Sequence, residues 1–335
     1  MTAGLLVLSG CPAPADAPWQ VRHSEDSAWL LSVSALGGKV LAVGGKPGPS
    51  PTQPGSGVIL AVPDDSAAAP QRLASPQPGM LWWTHSLSTA AGAGVAWLCG
   101  ESGSIVRYAE QAGAAPELRA IPSPSTATLY GIWASSDDDV WAVGGTEGGP
   151  GVILHGGLTG FTVDSTVPSV PILFKVFASD PGHLFVVGHA GTLLRRVGST
   201  WTLDPYPGSA PDRLLTVWGT SATEVYAVGG LGSARLLAFD GQRWQLDDAV
   251  AGLVPLAGLF AAGGDVLIAG QRGLIAERHG RSGAFAVGEA ATDLDLHGAL
   301  GQAGAHYAVG GNLSQYGLLP PRGVLLQRGS PQPSP

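Results

Sequence analysis

Residues 137–145 read Asp-Asp-Asp-Val-Trp-Ala-Val-Gly-Gly, and this phrase returns in paraphrase along the whole chain. KVLAVGG closes on Gly44, GVAWLCG on Gly100, DVWAVGG on Gly144, HLFVVGH on Gly188, EVYAVGG on Gly229, DVLIAGQ on Gly270 and HYAVGG on Gly310. Successive glycines lie 56, 44, 44, 41, 41 and 40 residues apart. Such a period accommodates four short strands with their turns. The closing strand, here called b, does not alternate apolar with polar residues, so both of its faces must be covered.

Each copy carries a second apolar run about ten residues before its glycine: LLSVSA, LWWTHS, LYGIWAS, LFKVFAS, LTVWGT, LAGLFA and DLDLHGA. This is strand a. A third run, strand c, follows the glycine (GVILAV, SIVRY, GVILHG, TLLRR, RLLAFDG, LIAERHG, GVLLQRG), and most copies add a weaker strand d such as ELRAI, FTVDS, Trp201–Asp204 or Trp244–Asp247. Seven like sheets that cover one another leave no long edge open when they close into a ring. The sequence therefore predicts an all-β, seven-bladed β-propeller of four-stranded antiparallel blades. The seventh copy ends in RGSPQPSP without a strand d, while Trp19-Gln20-Val21-Arg22 is written like the other d strands. Residues 18–24 are thus expected to complete the last blade, and the glycines closing each b strand to take a positive φ in a tight turn.

The 335 residues include 51 glycines and 27 prolines, with 13% charged residues, which fits many turns between short buried strands. A net charge of −8 and no Lys/Arg cluster interleaved with aromatics argue against nucleic acid as a partner. No uninterrupted apolar run reaches the roughly 18 residues of a membrane-crossing helix.

The chain opens MTAGLLVLSGCPAPADAP. Leu8-Ser9-Gly10-Cys11 resembles the signal of bacterial lipoproteins, in which the cysteine becomes the lipidated first residue. The absence of Lys or Arg before Cys11 and the short apolar region mean either that the true start lies upstream, the favoured reading, or that the signal is false. The resemblance implies a signal segment over 1–11, a Pro/Ala tether over 12–18, the propeller over 19–329, a disordered tail over 330–335, and a cell-envelope location with the membrane reached through the lipid alone. Cys99, within an apolar strand, then has no partner and reads as a buried, inert thiol.

Across residues 19–329, the Gly-Gly after an aromatic-containing strand b, Phe239-Asp240 and Trp244 resemble kelch-like repeats. The phrase W-x-S-x-D-D-V-W-A-V-G is similar to propellers related to photosystem II stability and assembly factors and to sialidase-type repeats, and the balance favours this second group. No Ser-x-Asp-x-Gly-x-Thr-Trp box is present, so the sialidase arginine cluster has nothing to be carried onto. The resemblance implies a non-catalytic binding or assembly platform.

No histidine pair has metal-ligand spacing, and the double glycines lack the Lys-Ser/Thr and helix of a phosphate loop. No cofactor or metal is called for. Asp137-Asp138-Asp139 could offer hard oxygens to calcium, or could be a solvated turn. Trp133, Phe177, Trp218 and Phe260 recur in one column of strand a and read as core. Two residues earlier the column is irregular (Ser32, Trp83, Gly131, Lys175, Thr216, Gly258, Asp295). It either looks into the channel, with Trp83, Lys175 and Asp295 as candidate binding residues, or has merely diverged. Two long loops, Lys46–Ser56 and Asn312–Arg322, fall in blades that closure makes neighbours, which predicts an apolar patch bearing Tyr316, Leu318 and Leu319.

Three functions follow as expectations. The first is a lipoprotein propeller that binds a protein or envelope component through its loop face. The second is a hydrolase or lyase acting on a polysaccharide or peptide in the channel, and the third a structural module of an envelope assembly.

Overall fold

A computed structural model of the chain describes residues 17–49, 53–65, 68–87, 94–209, 211–302 and 304–330. Among them, seven four-stranded antiparallel sheets follow the order a-b-c-d from the axis outward. Blade 1 begins with strand a at Trp29–Leu36 and blade 7 with Asp295–Gln302. The protein is the seven-bladed propeller that the repeat predicts. Cys11 and the segment up to residue 16 lie outside the described residues, as does the tail beyond 330.

The d strand of blade 7 comes from the amino-terminal end. Gln20–Glu25 pairs antiparallel with Gly323–Gly329, from Gln20 opposite Gln327 to Glu25 opposite Gly323. Trp19 stands just before this strand, buried against Leu267, Ile275 and Leu296, with the Arg328 guanidinium 5.2 Å from its ring centre. The ring is therefore closed by strand pairing and by an apolar anchor.

The b strands are the most buried elements, and every residue from Val140 to Gly145 lies inside. Their neighbours on both sides are other blades, which removes the solvent face that alternation would mark. Outside, Gln71–Pro78, the d strand of blade 1, alternates between exposed and half-buried positions.

The closing glycines correct one expectation. None of the seven takes a positive φ. A Cβ at Gly44 would lie 1.9 Å from the Trp29 carbonyl oxygen, at Gly144 2.0 Å from that of Thr128, and at Gly310 2.0 Å from that of Asp295. The same contact recurs at Gly100, Gly188, Gly229 and Gly270. The b strand ends so close to the backbone that leads into strand a that no side chain fits there.

Left-handed backbone occurs two residues later, in the b–c turns of blades 2, 4 and 6, at Ser102, Ala190 and Arg272 with φ of 57°, 53° and 56°. Each is followed by a glycine that is also left-handed: Gly103, Gly191 and Gly273.

Candidate binding face

Loops b–c and d–a share one end of the propeller. There the two long loops meet: the Tyr316 hydroxyl donates to the Gly48 carbonyl at 3.3 Å, and the Tyr316 ring sits edge-on to Trp29, centres 5.5 Å apart. Asn312 organises the base of the blade 7 loop. Its Oδ1 accepts from Trp29 Nε1 at 2.9 Å and from the Arg322 amide at 2.8 Å, while its Nδ2 donates to the Pro320 carbonyl at 2.9 Å. Asn312 is buried, and its three bonds fix the loop's exit and entry together. Above this base Tyr316, Leu318 and Leu319 are 52%, 81% and 53% exposed. The predicted apolar patch thus has a rigid foundation.

Beneath the patch lies the mouth of the channel. All seven a strands carry a bulge near their start, between Leu30 and Ser32 in blade 1 and at the equivalent place in every other blade. The extra residues are Leu31, Trp82, Tyr130, Phe174, Leu215, Ala257 and His297. Strand a is innermost, so a residue left out of its ladder stands at the free edge nearest the axis.

The aromatic ones meet across blades. Trp82 packs edge-on to Tyr130 at 5.0 Å and Tyr130 on Phe174 at 5.5 Å, while Trp82 also reaches His297 of blade 7 at 6.2 Å. Leu313 of the long loop and Trp82 of the collar both pack against the buried cluster of Trp29, Leu31 and Met80, so patch and collar share one support.

The column chosen from sequence stands one residue past this collar. Trp83 and Lys175 do come together: the Lys175 ammonium lies 4.1 Å from the centre of the Trp83 ring and donates to the Tyr130 carbonyl at 2.6 Å. Asp295 does not join them. The residue equivalent to Lys175 in blade 7 is Gly298, paired with Val309 as Lys175 is with Val187. Asp295 lies at the start of the strand on the loop face, where its carboxylate accepts from the Ser314 amide at 2.9 Å and from the Arg272 amide at 3.2 Å. It supports the blade 7 loop rather than lining the channel.

Burial dominates the chemistry of the neck. Lys175 is only 2% exposed, and desolvation pulls its ammonium down to about 7. Cys99 is buried, as expected, and burial pushes its thiol up to about 12. His297 falls to about 4, through burial first and the nearby Lys175 second, and its Nδ1 bonds the Leu31 carbonyl at 2.7 Å. Farther along the a strands, His85 also falls to about 4 through burial and packs on Trp133 at 5.9 Å. In that second ring Trp133 and Phe177 are buried as core, whereas Trp218 and Phe260 are half-buried.

The aspartates at 137–139 lie at an a–b turn where Asp138 is exposed, as the solvated-turn reading expects, while Asp137 and Asp139 are engaged by neighbouring side chains. Arg107 grips Asp137 with both ends of its fork, at 2.8 and 2.6 Å, and Trp97 Nε1 adds a third donor at 3.1 Å. Asp139 accepts from Trp141 Nε1 at 3.0 Å and is 2.8 Å from His155 Nε2. Among the described residues no group of three or more His, Cys, Asp or Glu could hold a metal. These contacts staple neighbouring strands on the face opposite the long loops.

No family model matches the sequence, and no curated protein matches it. Solved structures do. The structure titled YCF48 bound to D1 peptide superposes with a TM-score of 0.64 at 11% identity, covering 99% of this chain and 100% of that one. YCF48 from Cyanidioschyzon merolae gives 0.63 at 12% identity, covering 93% of this chain and 99% of that one. The shared property is the fold. At such identity the likeness is of fold alone, and residue roles do not transfer.

Proposed function

We propose that this chain is a non-catalytic binding platform whose loop face docks a protein, and that it is held at the bacterial cell envelope by lipid on Cys11. The carrying observation is the pair of joined loops that present Tyr316, Leu318 and Leu319 above an aromatic collar. A large apolar side chain left 81% exposed on a pinned loop marks an interaction surface. A propeller of the same fold has been solved with a peptide bound, which supports a peptide or protein as the partner class.

The direction of the first strand supports a protein over a lipid surface. Gln20 pairs with Gln327 at the end far from the loops, and Glu25 with Gly323 at the loop end. The chain preceding Gln20 therefore leaves from the opposite face. A lipid on Cys11 would thus join the propeller from the face opposite the apolar loops.

The test is affinity purification from envelope extract with the wild type and with Leu318→Ser/Leu319→Ser. Both residues are exposed, so the variant keeps the fold. One partner recovered by the wild type and lost by the variant supports the reading. Recovery of the same proteins by both removes the loop face from it.

A further inference from the structure

We infer that the neck of the propeller channel, just below the aromatic collar, binds a carboxylate. Lys175 places an ammonium among Trp83, the backbone of Tyr130, Cys99 and His297, and the described residues put no carboxylate in ion-pair contact with it. It makes one hydrogen bond, to the Tyr130 carbonyl, although an ammonium has three donors. A buried cation without a counter-ion is costly, which is why burial draws Lys175 toward its neutral form, and a bound anion would restore the charged one.

No neighbour in the neck serves as that counter-ion. The Cys99 thiol remains protonated because burial raises it to about 12, and the His297 ring is neutral near pH 7.

A second, independent observation lies in the collar. Trp82 Nε1 is buried without a hydrogen-bond partner, although the Trp82 ring contacts both Tyr130 and His297. A buried indole N–H almost always finds an acceptor. The Lys175 ammonium and the Trp82 ring share Tyr130 and His297 as neighbours, and a carboxylate, with two oxygens and about four lone-pair sites, offers an acceptor to each. The walls select against more highly charged anions: one ammonium among aromatic rings balances one negative charge, and a second would remain desolvated. The half-exposed rings of Tyr130 and Phe174 suit a ligand whose carboxylate leads an apolar body inward from the loop face.

The carboxylate could belong to a free organic acid or to an acidic side chain of a docked peptide, and the experiment separates these. The chain has three lysines, Lys39, Lys46 and Lys175, so isotope-labelled lysine gives three resolvable side-chain signals. Lys39 is paired with Glu110 at 2.7 Å and serves as the internal control.

The wild-type protein is titrated with phenylacetate, uncharged phenylacetamide, inorganic phosphate, and a capped Phe-Glu-Phe peptide with its Phe-Gln-Phe twin. A saturable shift of the Lys175 signal by phenylacetate or the Glu peptide, absent with the amide and the Gln twin, is the expected result. It comes with a rise of at least about one unit in the Lys175 titration midpoint, equal to a tenfold preference of the acid for the charged lysine. Response to phenylacetate alone assigns a free acid, and response to the Glu peptide a docked side chain. An unmoved Lys175 signal, an equal response to the uncharged twins, or a response to phosphate alone overturns the inference. Repeating the titration with Leu318→Ser/Leu319→Ser keeps this test separate from the loop-face reading, because phenylacetate needs no loop contact.

Discussion

The Tyr316 hydroxyl reaches the Gly48 carbonyl at 3.3 Å across 268 positions of sequence. That contact exists because the amino-terminal strand closes the ring, which brings the first and last blades side by side. The candidate binding surface is thus a consequence of closure.

Closure should therefore control both stability and surface. Deleting residues 18–26 removes the outer strand of blade 7 with its anchor, and a sharp fall in thermal midpoint is expected. The milder Trp19→Ala should cost about 3 kcal/mol, in line with other buried tryptophans, measured by denaturant unfolding. An unchanged midpoint for the deletion would remove strand Gln20–Glu25 from the account.

Asn312 should behave as the keystone of the loop. Its replacement by Ala leaves Trp29 Nε1 and the Arg322 amide without their shared acceptor, a loss of about 1–3 kcal/mol. Hydrogen exchange should rise at residues 313–322 while the b strands stay protected. Uniform protection would show that the loop is held by something else.

Gly144→Ala tests the reason for the repeat itself. A methyl group there meets the Thr128 oxygen at 2.0 Å, so the strands must part, at a cost of about 1–3 kcal/mol or more. Alanine at Gly148, where φ is +73° and no atom lies within 4 Å, carries only the left-handed penalty of about 1 kcal/mol. Equal losses at the two sites would refute steric closeness as the cause.

The half-buried histidines set an acid limit. His85 and His297 titrate near 4 in the folded protein and near 6.5 when exposed, so between those values the unfolded chain binds more protons. Stability is expected to fall as the pH drops from about 6.5 to 4, and the slope to flatten in His85→Gln/His297→Gln. Lys175 has the same sign in a higher window. Its charged form is disfavoured by burial, so stability should rise between about 7 and 10.5, and Lys175→Met should abolish that rise. Both profiles are read from denaturant midpoints across pH.

The repeat made the fold legible because each blade solves the same packing problem with the same residues. The closing glycine, the apolar b strand and the displaced Trp19 strand all follow from it. The loops were also legible, since their length and the closure rule suffice to pair them.

The collar was not, because a bulge shifts the side-chain period by one residue: the sequence column fell on Trp83 and Lys175 while the free edge displays Trp82 and Phe174. Asp295 was misplaced for a simpler reason. Gly298 stands 12 residues before Gly310, as Gly258 stands 12 before Gly270, and that count would have chosen it.

The central claim is that the loop face meets a protein while the opposite face does not. A photo-crosslinking amino acid placed at position 318, and separately at the exposed Val197 near the opposite end, tests it in cells that make the full chain. The account predicts a discrete protein adduct from position 318 and none from 197. An identical adduct from both positions, or none from 318, would contradict it.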